Sequence, residues 1–286
     1  MKLGNLDGRA ILVDDGRHVD VATALGEPAA ADPMVALGLL DRLRDVVVPA
    51  DAPTVDPAQL GAPVPRPTKI LAAALNYRRH AEEAGLDIPQ RPALFARLPS
   101  ALAGPAADVV LPPGRDEIDW EAEIVVVIGR IARHVAAADA WAHVAGITAG
   151  QDISDRAGQF EGPSQFTMAK SYDSFAPTGP YLVTLDEIAD PDDIGISFRL
   201  NGELLQDGRS SDLIFDVGAL VAAASAVCTL EPGDLLFTGT PAGVGWGMSP
   251  RRFLAAGDVL ETTVEGVGTM VNHCVEAPVL AAAVSR

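Results

Sequence analysis

The sequence predicts a strand-rich α+β fold, with a mixed β-roll or barrel as its architecture. Its apolar runs are short and end in Gly, Pro or Asp, as in LEPGDLLFTGTPAGVG (230–245) and LAAGDVLETTVEGVG (254–268). Strands therefore outnumber helices, which favours a roll or barrel over a doubly wound sheet. A chain of 286 residues suits one large domain, or a main domain with a small appendage.

The first 46 residues contain signals for both strands and a helix. The segments 9–13 and 17–21 flank the turn sequence DDGR, which predicts a hairpin. Apolar residues then recur at three-residue spacing, which predicts a helix over 32–46; they are Met34, Leu37, Leu40 and Leu43. Residues 1–46 are thus expected to form a small α/β module.

A segment dense in Pro and Ala, 46–68, follows this module and is predicted to be a linker on the surface. The expected division is a small N-terminal module with its linker, 1–66, and a main domain, 67–286. In the main domain, the periodicities predict strands over 69–77, 119–129 and 144–154 and helices over 78–86, 136–143 and 213–227.

Composition excludes several classes of function. The formal net charge of −18 argues against a nucleic-acid partner, because a phosphate backbone requires a basic surface. No apolar run approaches the roughly 18 residues of a membrane helix, and the N-terminus lacks the apolar core of a signal peptide. Cys228 and Cys274 are expected to be reduced core thiols. The cytoplasm is therefore the expected compartment.

Two carboxylates stand at the start of the buried strand DWEAEIVVVIG. Glu121 and Glu123 are two positions apart, so they share a face, roughly 6.6 Å apart along the strand. The two side chains could lie on a solvated strand end. If they are buried, protonation, a cation or a metal could relieve the repulsion between them. Asp152, which follows another apolar strand, favours the metal. Three carboxylates suit Mg²⁺ or Mn²⁺ better than zinc.

The chain resembles the fumarylacetoacetate hydrolase superfamily over roughly residues 68 to 275. The resemblance depends on eight segments that occur in the family's order. They are KILAAALNYRRHAEEAG, PALFARLPSALAGP, DWEAEIVVVIGR, GITAGQDISDR, KSYDSFAPTGPYLVT, NGELLQDG, LEPGDLLFTGTPAGVG and LAAGDVLETTVEGVG. It implies the family's mixed β-sandwich roll with a small N-terminal domain, assembled as a homodimer.

The resemblance also implies the metal ligands. Glu121, Glu123 and Asp152 match the carboxylates that hold a divalent metal in the family. The expected ion is Mg²⁺ or Mn²⁺, with Ca²⁺ as a substitute in crystals.

His80 and Glu83 are three residues apart, so on a helix they share a face and could form a carboxylate-oriented general base. Without the resemblance they could equally be charged residues of a surface helix, and Lys170 could be a surface lysine. The resemblance implies catalytic roles for all three. His80 and Glu83 match a pair on a lid that activates water, and Lys170 matches a lysine that contacts the substrate.

By the same resemblance, Arg156, Gln159 and Thr240 match positions that bind the keto-acid end of the substrate. TGTPAGVGWG, which includes Thr240, lacks the pattern of a phosphate-binding loop. The chain departs from the family at two positions. Gln151 replaces the usual Asn and Ala157 replaces an Asp. These departures bear on the identity of the substrate more than on metal binding.

The resemblance implies a metal-dependent hydrolase that cleaves a C–C bond in a 2,4-diketo acid of the acylpyruvate or fumarylpyruvate type. His80, oriented by Glu83, would activate water, and Lys170 would stabilise the pyruvate enolate that leaves. The alternative is an oxaloacetate decarboxylase or a 2-hydroxymuconate-type isomerase or tautomerase that uses the same metal site. A third hypothesis is a non-catalytic member of the fold. The partner in the first two cases is a small keto acid.

Overall fold

The computed structural model describes residues 1–278. Its strands are β1 (Lys2–Leu6), β2 (Arg9–Asp14), β3 (Arg17–Asp20), β4 (Leu60–Gly61), β5 (Ile70–Ala74), β6 (Ala93–Arg97), β7 (Leu102–Ala103), β8 (Val109–Leu111), β9 (Ile118–Asp119), β10 (Ala122–Ile128), β11 (Val144–Gln151), β12 (Ser154–Asp155), β13 (Ala176–Thr184), β14 (Gly195–Leu200), β15 (Glu203–Arg209), β16 (Leu235–Phe237), β17 (Val259–Val264) and β18 (Gly268–Glu276).

The described residues contain seven α-helices, against eighteen strands. The α-helices are α1 (Val21–Leu25), α2 (Pro33–Leu37), α3 (Leu40–Leu43), α4 (Arg78–Ala84), α5 (Arg156–Phe160), α6 (Phe166–Ala169) and α7 (Val217–Val227). Short 3₁₀ helices are Pro28–Ala31, Pro57–Gln59, Pro99–Ala101, Ala137–His143, Leu185–Glu187, Ser210–Asp212 and Gly245–Gly247. No helix within residues 1–278 has both the length and the apolar character needed to span a bilayer.

A large and a small sheet make up most of the fold. The large sheet has 11 strands: nine follow the order β3-β2-β1-β13-β11-β10-β16-β5-β6, while β4 pairs with β1 and β7 pairs with β13. The small sheet has five strands in the order β15-β14-β17-β18-β8, and β12 pairs with β9 in a separate two-stranded sheet. The large sheet begins at β3 and ends at β6, so it does not close into a barrel over the described residues. The predicted strand-rich α+β fold is confirmed, and the open sheets favour the roll over the barrel.

Strand β10 lies at the centre of the large sheet, and each of its residues is buried. Its side chains alternate between two apolar clusters. Ile124 and Val126 belong to the cluster that includes Phe198 of the small sheet. Val125 and Val127 belong to the cluster on the opposite face, which includes residues of the N-terminal module. The strand is continuously apolar because both of its faces are covered.

The N-terminal strands extend this same sheet. The predicted hairpin is confirmed, because β2 pairs with β3 in antiparallel register. Strand β1, which was not predicted, forms a hairpin with β2 and also pairs with β13 through Leu3 and Leu182. The proposed division at residue 66 falls between β4 and β5, and it stays a prediction.

The predicted helix over 32–46 is wrong in extent. Asp32 caps α2 by accepting the Met34 N–H at 2.9 Å, and the helix ends at Gly38. Leu39 then leaves the helical region at φ −112°, ψ 12°, before α3 begins. Gly38 is a poor helix former, and the three-residue spacing of the leucines did not reveal this break.

Other boundaries also differ from the expectations: the strand predicted over 119–129 is Ala122–Ile128, and the strand predicted over 144–154 is Val144–Gln151. The strand predicted over 69–77 ends at Ala74, because Leu75 leaves the extended region at a φ of 47°. The helix predicted over 136–143 is a 3₁₀ helix. The helix predicted over 213–227 begins only at Val217, where Asp216 accepts the Ala219 N–H at 2.7 Å.

Candidate metal centre and active site

Strand pairing brings the three predicted metal ligands together. Ala122 of β10 lies opposite Gln151 of β11, and the Asp152 N–H donates to the Glu121 carbonyl oxygen at 2.8 Å. One carboxylate oxygen from each of Glu121, Glu123 and Asp152 lies within 4.8 Å of the others. All three residues are buried, with exposures of 6%, 1% and 1%.

Cations from distant parts of the chain contact this cluster. Lys170 Nζ lies 2.6 Å from Glu121 Oε2 and 2.6 Å from Asp152 Oδ2. Arg156 Nη2 lies 2.6 Å from Glu121 Oε1, and Arg97 pairs with Asp152. The residues that flank the acidic pair in sequence suggested no such cation. These three come from β6, α5 and the end of α6.

The cations affect the two glutamates differently. Burial alone would raise the pKa of Glu121, but Lys170 and Arg156 outweigh it and lower this pKa to about 2. Burial raises the pKa of Glu123 well above its usual range, and the nearby carboxylates of Asp152 and Glu121 raise it further. Within residues 1–278 Glu123 forms no ion pair; its Oε2 accepts the Gly239 N–H at 2.7 Å.

The charge balance of the cluster suits a divalent cation. Four buried carboxylates, counting Asp119, face three cations, so one negative charge is in excess when all of them are ionised. Glu123 carries that excess. The ligand atoms are carboxylate oxygens, which are hard donors suited to Mg²⁺ or Mn²⁺. Glu121, Glu123 and Asp152 could therefore hold such an ion.

Helix α4 presents the predicted general base at the same site. His80 Nδ1 lies 3.2 Å from Glu83 Oε2, so the pair expected from the sequence is in contact. The Gly243 N–H donates to both oxygens of Glu83, at 3.0 and 3.2 Å. Gly85, with a φ of 65°, caps the C-terminus of the helix. Glu83 thus links the histidine to the loop that follows Thr240.

Arg156 and Gln159 lie on α5, beside the carboxylates. Arg156 Nη1 donates to Gln159 Oε1 at 3.2 Å. The Gln159 side chain is fully buried, and its Nε2 has no partner among the described residues. An unpaired buried donor is costly, so this amide is available to an acceptor on a ligand.

Thr240 supports strand β10. Its hydroxyl donates to the Ala122 carbonyl oxygen at 2.8 Å and accepts from Gln206 Nε2 at 2.8 Å. The Gln206 Oε1 in turn accepts the Ala122 N–H at 3.0 Å. The hydroxyl is therefore already engaged with the strand that carries the glutamates.

The two departures from the family pattern lie in different surroundings. Gln151 accepts the Glu121 N–H at 3.0 Å and donates to Thr262 Oγ1 at 2.8 Å, so it holds the backbone of a predicted metal ligand. Ala157 is on the exposed side of α5 and does not line the cavity. The missing carboxylate at this position therefore leaves the cluster intact.

Sequence reasoning missed Arg97 and Asp119. Arg97 is 2% exposed and donates to the Phe175 carbonyl oxygen at 2.8 Å, besides its contact with Asp152. Asp119 accepts from Arg156 Nε at 2.8 Å and from the Gly245 N–H at 2.8 Å. Asp119 lies two positions before Glu121, so the same alternation could have identified it. For Arg97 the signal was a cation in an otherwise apolar strand.

The site opens into a cavity of about 170 Å³. Seven of the nine predicted site residues line it: His80, Glu121, Glu123, Arg156, Gln159, Lys170 and Thr240. The other two, Glu83 and Asp152, contact His80 and Lys170, respectively. The structure thus brings all nine residues to one place.

The model of the fumarylacetoacetate (FAA) hydrolase C-terminal family matches residues 69–275. The chain belongs to this family. The predicted membership of the superfamily is thereby confirmed, and with it the prediction of an enzyme, since members of the superfamily are hydrolases, isomerases and tautomerases. The matched residues include every strand of the site, from β5 to β17.

Relatives within the FAA hydrolase family include proteins with different reactions. The chain is 42% identical to oxaloacetate tautomerase Fahd2a of Rattus norvegicus over 214 residues, which are 75% of this chain and 68% of the relative. It is 43% identical to 2,4-didehydro-3-deoxy-L-rhamnonate hydrolase of Sphingomonas sp. (strain SKA58) over 210 residues, 73% of this chain and 74% of the relative.

A solved FAA hydrolase structure shows a ligand and a metal. Maleylpyruvate hydrolase of Sphingobium sp. SYK-6, in complex with manganese(II) and pyruvate, is similar to this chain at a TM-score of 0.79 and 30% identity. The similarity covers 97% of this chain and 100% of that one. The shared fold therefore extends over nearly all of this chain.

Proposed function

We propose that this chain is a divalent-metal-dependent hydrolase that cleaves a C–C bond in a 2,4-diketo acid. The observation that carries the proposal is that His80, which is paired with Glu83, lines the same cavity as the carboxylates Glu121 and Glu123. Hydrolysis needs a group that activates water, and a histidine oriented by a carboxylate can do this near neutral pH.

Mg²⁺ or Mn²⁺ is the proposed cofactor, with Glu121, Glu123 and Asp152 as its ligands. Such an ion, when bound, supplies a Lewis acid for the keto-acid end of the substrate. Support comes from the convergence of three carboxylate oxygens within 4.8 Å and from the manganese(II) and pyruvate in the similar maleylpyruvate hydrolase.

The remaining residues have separate proposed roles. His80 Nε2 takes the proton of the attacking water, while Glu83 holds the other ring nitrogen at 3.2 Å and so orients the ring. Lys170, whose ammonium already bridges two carboxylates at 2.6 Å, stabilises the negative charge of the departing enolate. The negative charge that develops during the reaction is thus stabilised by groups that are in position before the substrate binds.

Arg156, Gln159 and Thr240 are the proposed contacts to the keto-acid end. The unpartnered Gln159 Nε2 offers a donor to a substrate oxygen, and Arg156 holds that amide by donating to its carbonyl oxygen. Because the Thr240 hydroxyl is engaged with Ala122, we expect Thr240 to contact a substrate carboxylate through its backbone.

A second candidate is an oxaloacetate tautomerase, with decarboxylation or isomerisation of a 2-hydroxymuconate-type acid as related outcomes. The similarity to the rat oxaloacetate tautomerase favours it. The same carboxylates and Lys170 would serve, but no water would need activation. Hydrolysis is preferred because the His80–Glu83 pair is present, and because one relative is named as a hydrolase of an acid oxidised at carbons 2 and 4.

The test is a set of three assays on the purified chain, each with Mg²⁺, with Mn²⁺ and with EDTA. Loss of acylpyruvate absorbance, loss of fumarylpyruvate absorbance and oxaloacetate enol–keto conversion are measured. Metal-dependent cleavage of a diketo acid to pyruvate supports the hydrolase. Conversion of oxaloacetate without cleavage of any diketo acid would reject it in favour of the tautomerase.

We also propose a cytoplasmic homodimer, which light scattering and cell fractionation would test.

A further inference from the structure

The rest of the cavity wall is apolar, and it is not used by the proposed chemistry. Six large apolar side chains contribute to it: Leu75, Leu86, Phe95, Phe160, Phe166 and Trp246. Four of them form two aromatic pairs. Phe95 and Phe166 have ring centroids 5.5 Å apart, and Phe160 and Trp246 have centroids 5.9 Å apart.

Two of these side chains are unusually exposed for their type. Leu86 is 55% exposed and Phe160 is 50% exposed, although both line a cavity that contains buried charges. Apolar area at a cavity wall is stabilised when a ligand removes it from water. A ligand that reaches Leu86 and Phe160 therefore gains affinity through an apolar group.

The cations that line the cavity already have counter-ions. Lys170 contacts Glu121 and Asp152. Arg156 contacts Asp119 and Glu121, and His80 contacts Glu83. Within residues 1–278 no other Lys, Arg or His lines the cavity. A second carboxylate on the substrate would enter this wall without a counter-charge, which is unfavourable.

One arginine approaches the wall from outside. The Arg251 guanidinium lies over the Trp246 ring, 4.7 Å from its centroid, but Arg251 is not among the residues that line the cavity. Arg251 therefore adds no charged side chain to the cavity lining.

Building on the proposed hydrolase function, we propose that the substrate is a 2,4-diketo acid whose acyl group is uncharged and apolar. The Phe95–Phe166 and Phe160–Trp246 pairs, with Leu86, bind this alkyl or aryl group. Dicarboxylic substrates of the fumarylpyruvate type are then disfavoured. Within the hydrolase proposal, the apolar wall thus narrows the substrate class to acylpyruvates whose acyl group is apolar.

A matched pair of substrates tests this inference. Pentanoylpyruvate and succinylpyruvate differ mainly in whether the acyl group ends in an ethyl group or a carboxylate. We expect kcat/KM to be at least about tenfold higher for pentanoylpyruvate, since an unpaired carboxylate is poorly accepted by an apolar wall. From acetyl- to pentanoylpyruvate, kcat/KM should rise by about two- to fourfold per methylene. A higher kcat/KM for succinylpyruvate would overturn the inference.

A charge placed on the wall should change the preference. Leu86→Lys adds a cation at an exposed cavity position, and Leu98→Lys is its control, since Leu98 is 42% exposed and does not line the cavity. We expect Leu86→Lys to reduce the preference for pentanoylpyruvate by about three- to fivefold, as an exposed ion pair allows. Leu98→Lys should leave it within about twofold. Equal effects of the two variants would contradict the assignment of Leu86.

A binding measurement separates this inference from the hydrolase proposal. Calorimetry with Mg²⁺-loaded protein compares 2-oxohexanoate with 2-oxoglutarate, which have tails of similar size but different charge. Tighter binding of 2-oxohexanoate upholds the apolar preference even if no diketo acid is cleaved, in which case only the hydrolase proposal fails. Cleavage of both diketo acids with tighter binding of 2-oxoglutarate upholds the hydrolase and rejects the inference.

Discussion

The carboxylate cluster and helix α4 meet in one cavity, but they are held in place by different means. Glu123 and Asp152 are each 1% exposed and are positioned by the pairing of two central strands. The side chains of His80 and Glu83 are 14% and 23% exposed, on a helix of seven residues.

A helix of this length is not stable alone, so tertiary contacts hold α4. Tyr77, just before the helix, is fully buried, and Glu83 is fixed by the Gly243 N–H. The cluster is thus part of the core, whereas α4 is attached to it. It follows that the proposed metal ligands are tied to the fold, while the proposed water-activating residues can change at little cost in stability.

The largest expected effect is on the cluster. Glu123→Gln removes a metal ligand, so it should lower metal-dependent turnover of every substrate by about 1000-fold or more. It should also blunt the rise in Tm that Mg²⁺ or Mn²⁺ produces. Differential scanning fluorimetry with and without metal, next to the absorbance assay, measures both. An undiminished metal-induced rise in Tm would show that Glu123 is not a ligand.

Arg97→Met should weaken the fold through the same cluster. Arg97 is paired with the buried Asp152, and removing one partner of a buried ion pair costs about 3–5 kcal/mol in the free energy of unfolding. Arg209→Met is the control, because Arg209 forms exposed ion pairs with Asp193 and Glu265, which contribute at most about 1 kcal/mol. Urea unfolding compares them. Equal losses of unfolding free energy in the two variants would contradict a larger contribution from the buried Arg97–Asp152 pair.

Glu83→Gln should affect hydrolysis but not the fold. Without its carboxylate partner His80 is a poorer base, so kcat for diketo-acid cleavage should fall by roughly 10- to 100-fold. The free energy of unfolding should change by less than about 1 kcal/mol. Glu82→Gln is the matched control, since Glu82 is an exposed neighbour on α4. A similar loss of kcat in Glu82→Gln would point to a general charge effect.

The smallest expected change in the free energy of unfolding is at the exposed ion pair between α4 and Asp212. Arg79 Nε lies 3.7 Å from Asp212 Oδ2, and the Arg79 side chain is 63% exposed. Arg79→Ala should therefore change the free energy of unfolding by less than about 0.5 kcal/mol, and salt should mask even this change. A loss above about 1 kcal/mol in urea unfolding would show that α4 is more tightly integrated than its exposure indicates.

The cluster was more predictable from sequence than its surroundings. Glu121 and Glu123 follow from strand alternation, and Asp152 from its position after a strand. Their cationic partners could not be deduced this way, because Arg97 and Lys170 reach the cluster only through tertiary folding. Local spacing carries no information on contacts between residues so far apart in the chain.

Fold elements show the same limit. The hairpin of β2 and β3 was predicted from its own turn. Strand β1 was missed although it forms a hairpin with β2 through the turn residues Asp7 and Gly8, which are a local signal. Only its pairing with β13, about 180 residues away, depends on tertiary folding. The break at Gly38 was missed because apolar spacing continued across it. The aromatic wall of the cavity was invisible for a similar reason, since its members come from four separate elements.

The most direct test of the account compares His80→Ala with the wild type in two assays at saturating Mg²⁺. We predict that diketo-acid hydrolysis falls by about 100- to 10,000-fold, while oxaloacetate tautomerisation and the metal-induced rise in Tm change by little. Hydrolysis that persists in His80→Ala, or an equal loss of both reactions with the metal response intact, would contradict the assignment of His80 as the base that activates water.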